Sequence, residues 1–120
     1  MHAEPQPLLH RDIRWPNIIR SGSDPRKWFL IDWDDASTFP TSSAMHLDRK
    51  THCPSVSEMG HGTEVDIWAV GKLILDAVVF CSDIPANVTQ YGTLMMGGQV
   101  TSAAAAFRYL STRPCANPPD

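Results

Sequence analysis

The sequence has 120 residues, of which 42% are apolar and 19% are charged, so it suits one small folded domain and excludes a wholly disordered chain. Thirteen acidic residues outnumber ten basic ones, and the formal charge of −3 argues against a nucleic-acid partner. Three cysteines without a paired spacing predict neither a disulfide framework nor a CxxC zinc site, which favours an intracellular, cytoplasmic location. The apolar runs are too short to span a bilayer, so no membrane partner is expected.

The N-terminal half is predicted to contain one hairpin and little other regular structure. Residues 1–9 are broken by two prolines and are expected to form a disordered tail. Two short apolar runs, 17–20 and 28–31, flank a stretch of turn-forming residues, which predicts a β-hairpin with a long loop. Residues 32–62 show no sustained periodicity, and such a stretch inside a small domain is usually functional or disordered.

The C-terminal half predicts three helices. Residues 65–80 are apolar almost all round, which is typical of a helix that is buried on most sides. A weaker helix is predicted over 91–96. The alanine-rich residues 102–110 strongly favour a helix, with Thr101 or Ser102 as its N-cap. The expected fold is therefore mainly α with one small β-hairpin.

Two segments carry residues that suit phosphoryl transfer. HRDIRWPN (10–17) places an Asp and, five residues on, an Asn on a loop before the first strand, and IDWD (31–34) follows the second strand. Phosphoryl transfer needs a carboxylate that orients or deprotonates the attacking hydroxyl, and oxygen ligands that hold magnesium against the phosphates. Asp12 suits the first role. Asn17 and Asp32 suit the second, because the hairpin brings them together.

These segments resemble the motifs of protein kinases. HRDIRWPN is similar to the catalytic loop HRDxxxxN, and IDWD resembles the metal-binding DFG segment. EVDIWAVGKLIL (64–75) resembles the central helix of the kinase C-terminal lobe, CPSV (53–56) lies where Ala-Pro-Glu would fall, and residues 102–107 are similar to the last helix of that lobe. The matches run in the right order over residues 8–110, and they look most like the fungal-type protein kinases.

The resemblance implies a protein-kinase-like C-lobe without the N-lobe. Residues 10–110 would form this partial lobe, with 36–62 as its activation segment and 111–120 as a second disordered tail. The implied activity is ATP- and magnesium-dependent phosphoryl transfer to Ser or Thr hydroxyls of a protein substrate. The glycine-rich loop and the VAIK-type lysine have no counterpart before His10, so the chain is expected to be weak or inactive alone. The apolar surface left uncovered by the missing parts invites a partner.

The same resemblance implies a role for each candidate site residue. Asp12 matches the catalytic base, and Arg14 stands where a lysine of Ser/Thr kinases touches the transferred phosphate. Asn17 and Asp32 match the magnesium ligands. Ile19 would form part of the surface under adenine.

Two further residues are assigned by the resemblance. Arg11 would pair with a phosphorylated residue of the activation segment, and the candidates there are Thr38, Thr41, Ser42, Ser43 and Thr51. Asp66 would cap backbone amides of the loop formed by residues 10–12, which is a structural role.

Two other interpretations stay open. The chain could be a non-catalytic, pseudokinase-like scaffold, or a small-molecule phosphotransferase of the aminoglycoside or choline type, since those enzymes use a similar loop and an IDW-like segment. The HRD triplet and the DIWAVG helix favour the protein-kinase interpretation. A zinc cluster is disfavoured because the spacing of its candidate ligands fits no standard site; these are His46, His52, Cys53 and His61.

Overall fold

The computed structural model describes residues 7–38, 41–48, 50–100 and 102–112. Within these ranges the chain forms one two-stranded sheet and three α-helices, which confirms the expected mainly α class with a hairpin. The strands are β1 (Ile18–Arg20) and β2 (Trp28–Leu30), the helices are α1 (Glu64–Phe80), α2 (Ala86–Met96) and α3 (Ala103–Thr112), and short 3-10 helices cover Trp15–Asn17 and Pro54–Ser57. None of the helices in the described ranges is long and apolar enough to cross a membrane.

The predicted hairpin is confirmed almost residue for residue. β1 and β2 pair antiparallel, with Ile19 opposite Phe29 at the centre of the register. The backbone N–H of Ser21 donates to the carbonyl of Lys27 at 2.8 Å and closes the loop between the strands. Turn-forming residues fill this loop because they supply the local hydrogen bonds that a reversal of the chain requires.

Two apolar clusters form the core, and α1 contributes to both. The first cluster joins the three helices and contains Ile67, Tyr91, Met95, Val100 and Ala106. The second cluster joins α1 to the N-terminal half and contains Leu9, Ala44, Val56 and Val65. Val65 and Ile67 both lie near the start of α1, so this end of the helix is where the two halves of the molecule meet.

Two glycines, one on each helix, let the backbones of α1 and α2 come into direct contact. A Cβ atom placed on Gly71 would lie 2.7 Å from the carbonyl oxygen of Gly92 and 2.9 Å from the Cβ of Met95. Side chains larger than hydrogen would therefore force the helices apart. The close contact explains why α2 packs along α1.

The prediction that α1 is buried on most sides is wrong for its last turn. Val79 is 77% exposed and Phe80 is 90% exposed, whereas the first two turns of the helix are largely buried. Within the described residues α2 packs on the face that carries Gly71 and Ile74, and the last turn extends beyond this contact. Helix α2 itself begins at Ala86, five residues before the predicted start, because residues 86–90 carry no sustained apolar periodicity.

The ends of the domain are more ordered than the sequence predicts. Leu9, assigned to the N-terminal tail, is fully buried, and it pairs with Ser37 through two backbone hydrogen bonds of 2.8 and 2.9 Å. Helix α3 runs to Thr112, two residues into the expected C-terminal tail. Ser102 is confirmed as its cap, since Ser102 Oγ accepts a hydrogen bond from the backbone N–H of Ala105 at 3.0 Å. The remaining tail residues, 1–6 and 113–120, lie outside the described ranges.

Candidate functional site

The loop that contains Asp12 is held by a buried carboxylate from α1. Asp66 is 1% exposed, and its two oxygens accept hydrogen bonds from the backbone N–H groups of His10 and Arg11, both at 2.8 Å. A charged acceptor makes each of these bonds stronger than a neutral one. The capping role predicted for Asp66 is therefore present, and it fixes the start of the loop against the central helix.

His10 joins the same loop to the segment that follows β2. Its Nδ1 accepts from the backbone N–H of Asp12 at 3.1 Å, so Nε2 must carry the proton and donate to the carbonyl of Ile31 at 3.0 Å. The ring also packs edge-on against Trp33, with a centroid distance of 4.6 Å. Through these contacts the fully buried His10 fixes Asp12 relative to Ile31 and Trp33, the two residues that flank Asp32.

Two residues of the site have left-handed backbones although neither is glycine. Arg11 has a φ of +70° and Asp32 has a φ of +63°. This conformation is uncommon for residues with a Cβ atom and costs energy, so it persists where surrounding contacts impose it. Asp66 supplies such a contact to the backbone N–H of Arg11, and His10 supplies one to the carbonyl of Ile31, the residue before Asp32.

Asp12 and Asn17, five residues apart on the same loop, are in direct contact. Asn17 Nδ2 donates to the Asp12 backbone carbonyl at 2.8 Å and to Asp12 Oδ2 at 3.1 Å. The other carboxylate oxygen, Oδ1, accepts from Arg14 Nε at 3.0 Å and from His52 Nε2 at 2.6 Å. The Asp12 side chain is 7% exposed, so these bonds form in a largely desolvated place.

The pKa of Asp12 is lowered in spite of this burial. Burial is the largest single influence and raises the pKa, because desolvation penalises the charged form. The hydrogen bond from His52, the charges of Arg14 and His52, and the hydrogen bond from Asn17 all lower the pKa and together outweigh burial. Asp12 is therefore an ionised carboxylate at neutral pH.

This lowered pKa predicts an acid sensitivity that depends on Asp12. A carboxyl whose pKa is lower in the folded protein stabilises the fold above its ordinary value of 3.8 and loses that contribution as the pH falls through the folded value. We expect the difference in the free energy of unfolding between the parent chain and Asp12→Asn to shrink as the pH is lowered from about 5 to about 2. Urea unfolding followed by tryptophan fluorescence measures this difference, and a constant difference over the range would contradict the prediction.

The hairpin places Asp32 beside Asn17. The backbone N–H of Ile31 donates to the Asn17 carbonyl at 2.8 Å, continuing the register in which Ile18 faces Leu30. Asn17 is buried, and Asp32 is exposed one residue beyond this bond. The structure thus brings two of the predicted ligands to the same end of the hairpin.

Arg14 and Ile19 lie at the edges of the site. The side chain of Arg14 is 45% exposed, and its Nε donates to Asp12 Oδ1 at 3.0 Å. Ile19 is 48% exposed on β1, so it offers apolar surface next to Asn17. A groove of about 200 Å³ also lies beside the loop and is lined by Ile13, Arg14, Trp15, Pro16, Thr51, Ala69, Lys72, Leu73 and Asp76.

Arg11 extends into the segment after the hairpin. Its Nε donates to the carbonyl of Asp35 at 2.6 Å and its Nη1 to the carbonyl of Ser42 at 2.8 Å, and Nη1 lies 3.5 Å from His61 Nε2. Ser42 is therefore the predicted phosphorylation candidate that directly contacts Arg11.

The other predicted phosphorylation candidates differ in access. Thr41 is 4% exposed and its hydroxyl donates to the carbonyl of His61 at 2.6 Å, so this hydroxyl is occupied. Thr38 and Ser43 are exposed, and Thr51 contacts the ring of His52. Whether any of them is phosphorylated stays a prediction.

Sequence reasoning missed the roles of two histidines. His10 contacts Asp12, two residues further along the chain, and Ile31, twenty-one residues further along. His52 lies forty residues after Asp12 in the sequence and contacts its carboxylate. The register of an aperiodic segment decides which of its side chains faces Asp12, and no local pattern in the sequence encodes this register. The signal in the sequence is weak: a histidine next to a hydroxyl residue in an otherwise polar stretch.

Comparisons with known proteins find similarity to a kinase over 68% of this chain. No family model matches the chain, and no solved structure matches it. It is 44% identical over 70 residues to Crinkler effector protein 8 of Phytophthora infestans, a match that covers 55% of this chain and 12% of that protein. It is 29% identical over 97 residues to serine/threonine-protein kinase sel-5 of Caenorhabditis elegans, covering 68% of this chain and 9% of that kinase. The comparisons support similarity to a kinase and give no support to the fungal-type subtype.

Proposed function

We propose that this chain forms part of a kinase-like phosphoryl-transfer site that uses ATP and magnesium to phosphorylate Ser or Thr hydroxyls of a protein. The observation that carries the proposal is the buried contact of Asn17 Nδ2 with Asp12 Oδ2 at 3.1 Å, at the end of the hairpin where Asp32 also lies. The similarity to a serine/threonine-protein kinase over 97 residues supports it.

Asp12 is the group that would receive the substrate hydroxyl. Its carboxylate is ionised, and it is fixed by bonds to Asn17 and Arg14. A fixed carboxylate orients a hydroxyl toward a phosphate without reorganising during the reaction, and positioning of this kind supplies much of the catalysis in phosphoryl transfer. The lowered pKa makes orientation the main contribution of Asp12, because a weakly basic carboxylate removes a proton poorly.

Magnesium fits the chemistry of the remaining donors. The Nδ2 of Asn17 is bound to Asp12, so its amide oxygen is the atom suited to a cation, and Asp32 adds an exposed carboxylate. Magnesium usually binds one or two protein carboxylates and completes its ligands with water and phosphate oxygens. In the described part of the chain no group of three His, Cys, Asp or Glu side chains could hold a metal, so a nucleotide would have to complete the set. Bound magnesium would neutralise charge on the transferred phosphate.

Arg14, Ile19 and the groove would serve the two substrates. The half-exposed side chain of Arg14 suits contact with a phosphate, since Arg binds phosphate oxygens through several N–H donors. Ile19 offers an apolar surface for a nucleotide base. The groove beside Asp12 contains Lys72 and Asp76 and would accept the residues that flank the substrate hydroxyl.

Magnesium-dependent binding of ATP tests the proposal. The 120 residues contain neither a glycine-rich loop nor a VAIK-type lysine before His10, so we expect little or no ATP turnover by this chain alone, and binding is the better measurement. We expect Asp32→Ala to weaken binding of ATP in the presence of magnesium at least about tenfold, as measured by isothermal titration calorimetry. Without magnesium the parent and the variant should bind alike.

Asp34→Ala is the matched control, because Asp34 is also exposed and lies two residues away. Equal losses from both variants would show a general effect of charge and contradict the proposal, as would a parent chain that binds ATP identically with and without magnesium. Robust turnover that Asp12→Asn abolishes would contradict the expected inactivity and mean that a partner or second copy completes the site.

A further inference from the structure

His52 comes from the aperiodic segment and meets Asp12 in a buried place. The distance between His52 Nε2 and Asp12 Oδ1 is 2.6 Å, and each side chain is 7% exposed. A turn presents the histidine, since its backbone N–H donates to the carbonyl of Asp48 at 3.0 Å. The same Asp48 carbonyl lies 2.9 Å from His52 Nδ1, so the turn contacts both the backbone and the ring of His52.

Both ring nitrogens of His52 are engaged. Its Nδ1 lies 2.9 Å from the carbonyl of Asp48 and 2.8 Å from Thr51 Oγ1, so it is bound within the turn. Its Nε2 faces the ionised carboxylate of Asp12, which accepts a hydrogen bond from it. The ring is therefore fixed at one nitrogen by its own turn and at the other by Asp12.

The bonds to Asp12 are unevenly divided between its two oxygens. Oδ1 accepts from both His52 Nε2 and Arg14 Nε, whereas Oδ2 accepts from Asn17 Nδ2. Each carboxylate oxygen offers about two lone-pair positions. Among the described residues the open position is therefore on Oδ2, the oxygen next to Asn17.

We propose that His52 is a positioning residue through which the segment after the hairpin controls Asp12. The ring holds Oδ1 so that Oδ2 is the oxygen that meets the substrate hydroxyl; this inference rests on the proposed function. Displacing the turn at Asp48–His52 withdraws the ring, leaves Arg14 as the partner of Oδ1, and lets the carboxylate rotate. The orientation of Asp12 therefore depends on the conformation of this turn.

His46 provides a matched comparison within the same segment. Its Nε2 lies 2.6 Å from Asp35 Oδ1, the same distance as in the His52–Asp12 pair, but its side chain is 63% exposed. Exposed pairs contribute little, whereas removing one partner of a buried charged pair is strongly destabilising. His46→Ala therefore removes a bond of equal length without disturbing Asp12.

Solvent exchange of the Asn17 side-chain amide, followed by NMR of the full chain, tests the inference. If His52 holds the carboxylate, then its loss loosens the Asn17 Nδ2–Asp12 Oδ2 bond, and we expect His52→Ala to speed this exchange at least about tenfold. His52→Gln keeps a side-chain donor and should cause a smaller increase. His46→Ala should leave the exchange unchanged.

The results separate positioning from a merely structural role. Unchanged Asn17 exchange in His52→Ala, or an equal increase in His46→Ala, would overturn the inference. If His52→Ala does not fold, His52→Gln is compared with His46→Gln instead. Equal exchange rates of the Asn17 side-chain amide in these two variants would overturn the inference. If the parent chain shows no magnesium-dependent ATP binding but its Asn17 exchange responds to His52 as expected, the proposed function alone is overturned. The positioning of Asp12 by the hydrogen bond from His52 would still stand.

Discussion

Replacing Asp66 with alanine is expected to lower the free energy of unfolding by about 3–5 kcal/mol, the largest effect of any single change in the site. The carboxylate is 1% exposed and accepts the backbone N–H groups of His10 and Arg11 at 2.8 Å each. Alanine leaves both donors buried without these acceptors. It also removes the contact that holds the left-handed backbone of Arg11 in place.

Urea unfolding measured by circular dichroism checks this expectation, and two further variants sharpen it. Asp66→Asn should lower the free energy of unfolding by nearly as much, because its amide nitrogen would face the backbone N–H of either His10 or Arg11. Asp76→Ala is the control on the same helix: Asp76 is half-exposed and pairs with Lys72 four residues away, so its loss should cost at most about 0.5 kcal/mol. Similar losses for Asp66→Ala and Asp76→Ala would contradict the importance of the buried caps.

Gly71→Ala is expected to destabilise the helical half by about 2 kcal/mol, even though alanine favours helices more than glycine. The added Cβ would lie 2.7 Å from the backbone oxygen of Gly92, which cannot move without shifting α2. Overpacking of this kind costs about 1–3 kcal/mol or more, and improved helix propensity returns at most about 1 kcal/mol.

Gly22→Ala is the control for this second change, since nothing lies within 4 Å of the place that its Cβ would take in the hairpin loop. We expect the control to alter the free energy of unfolding by less than about 0.5 kcal/mol. Chemical denaturation followed by circular dichroism reports both variants. A Gly71→Ala protein as stable as the parent would mean that α1 and α2 can separate freely.

The parts of the fold that follow from local patterns could be predicted, and the parts that depend on long-range register could not. The hairpin follows from a cluster of turn formers between apolar runs, and α1 follows from its length and composition. The start of α2 and the burial of Leu9 have no local signal, since they depend on which surfaces the rest of the chain covers. The exposed end of α1, at Val79 and Phe80, escapes prediction because composition does not tell how far a neighbouring helix extends.

The candidate site divides in the same way. That Asp12 and Asn17 share one loop can be read from the sequence, and the nearness of Asn17 and Asp32 follows from the predicted hairpin. The contacts of His10 and His52 require the relative placement of segments far apart in the chain. Local patterns therefore predict the neighbours that the hairpin supplies better than they predict the distant side chains that hold Asp12.

The bonds from Asp66 to the backbone at His10 close a loop whose two ends lie 56 positions apart in the sequence and which contains the hairpin and the aperiodic segment. The entropic cost of closing a loop grows only with the logarithm of its length, so doubling this loop would cost about 0.6 kcal/mol. Residues inserted at an exposed bend, such as the turn around Gly22, would lengthen the loop without moving its two fixed ends. We therefore expect insertions at that bend to leave the geometry around Asp12 unchanged.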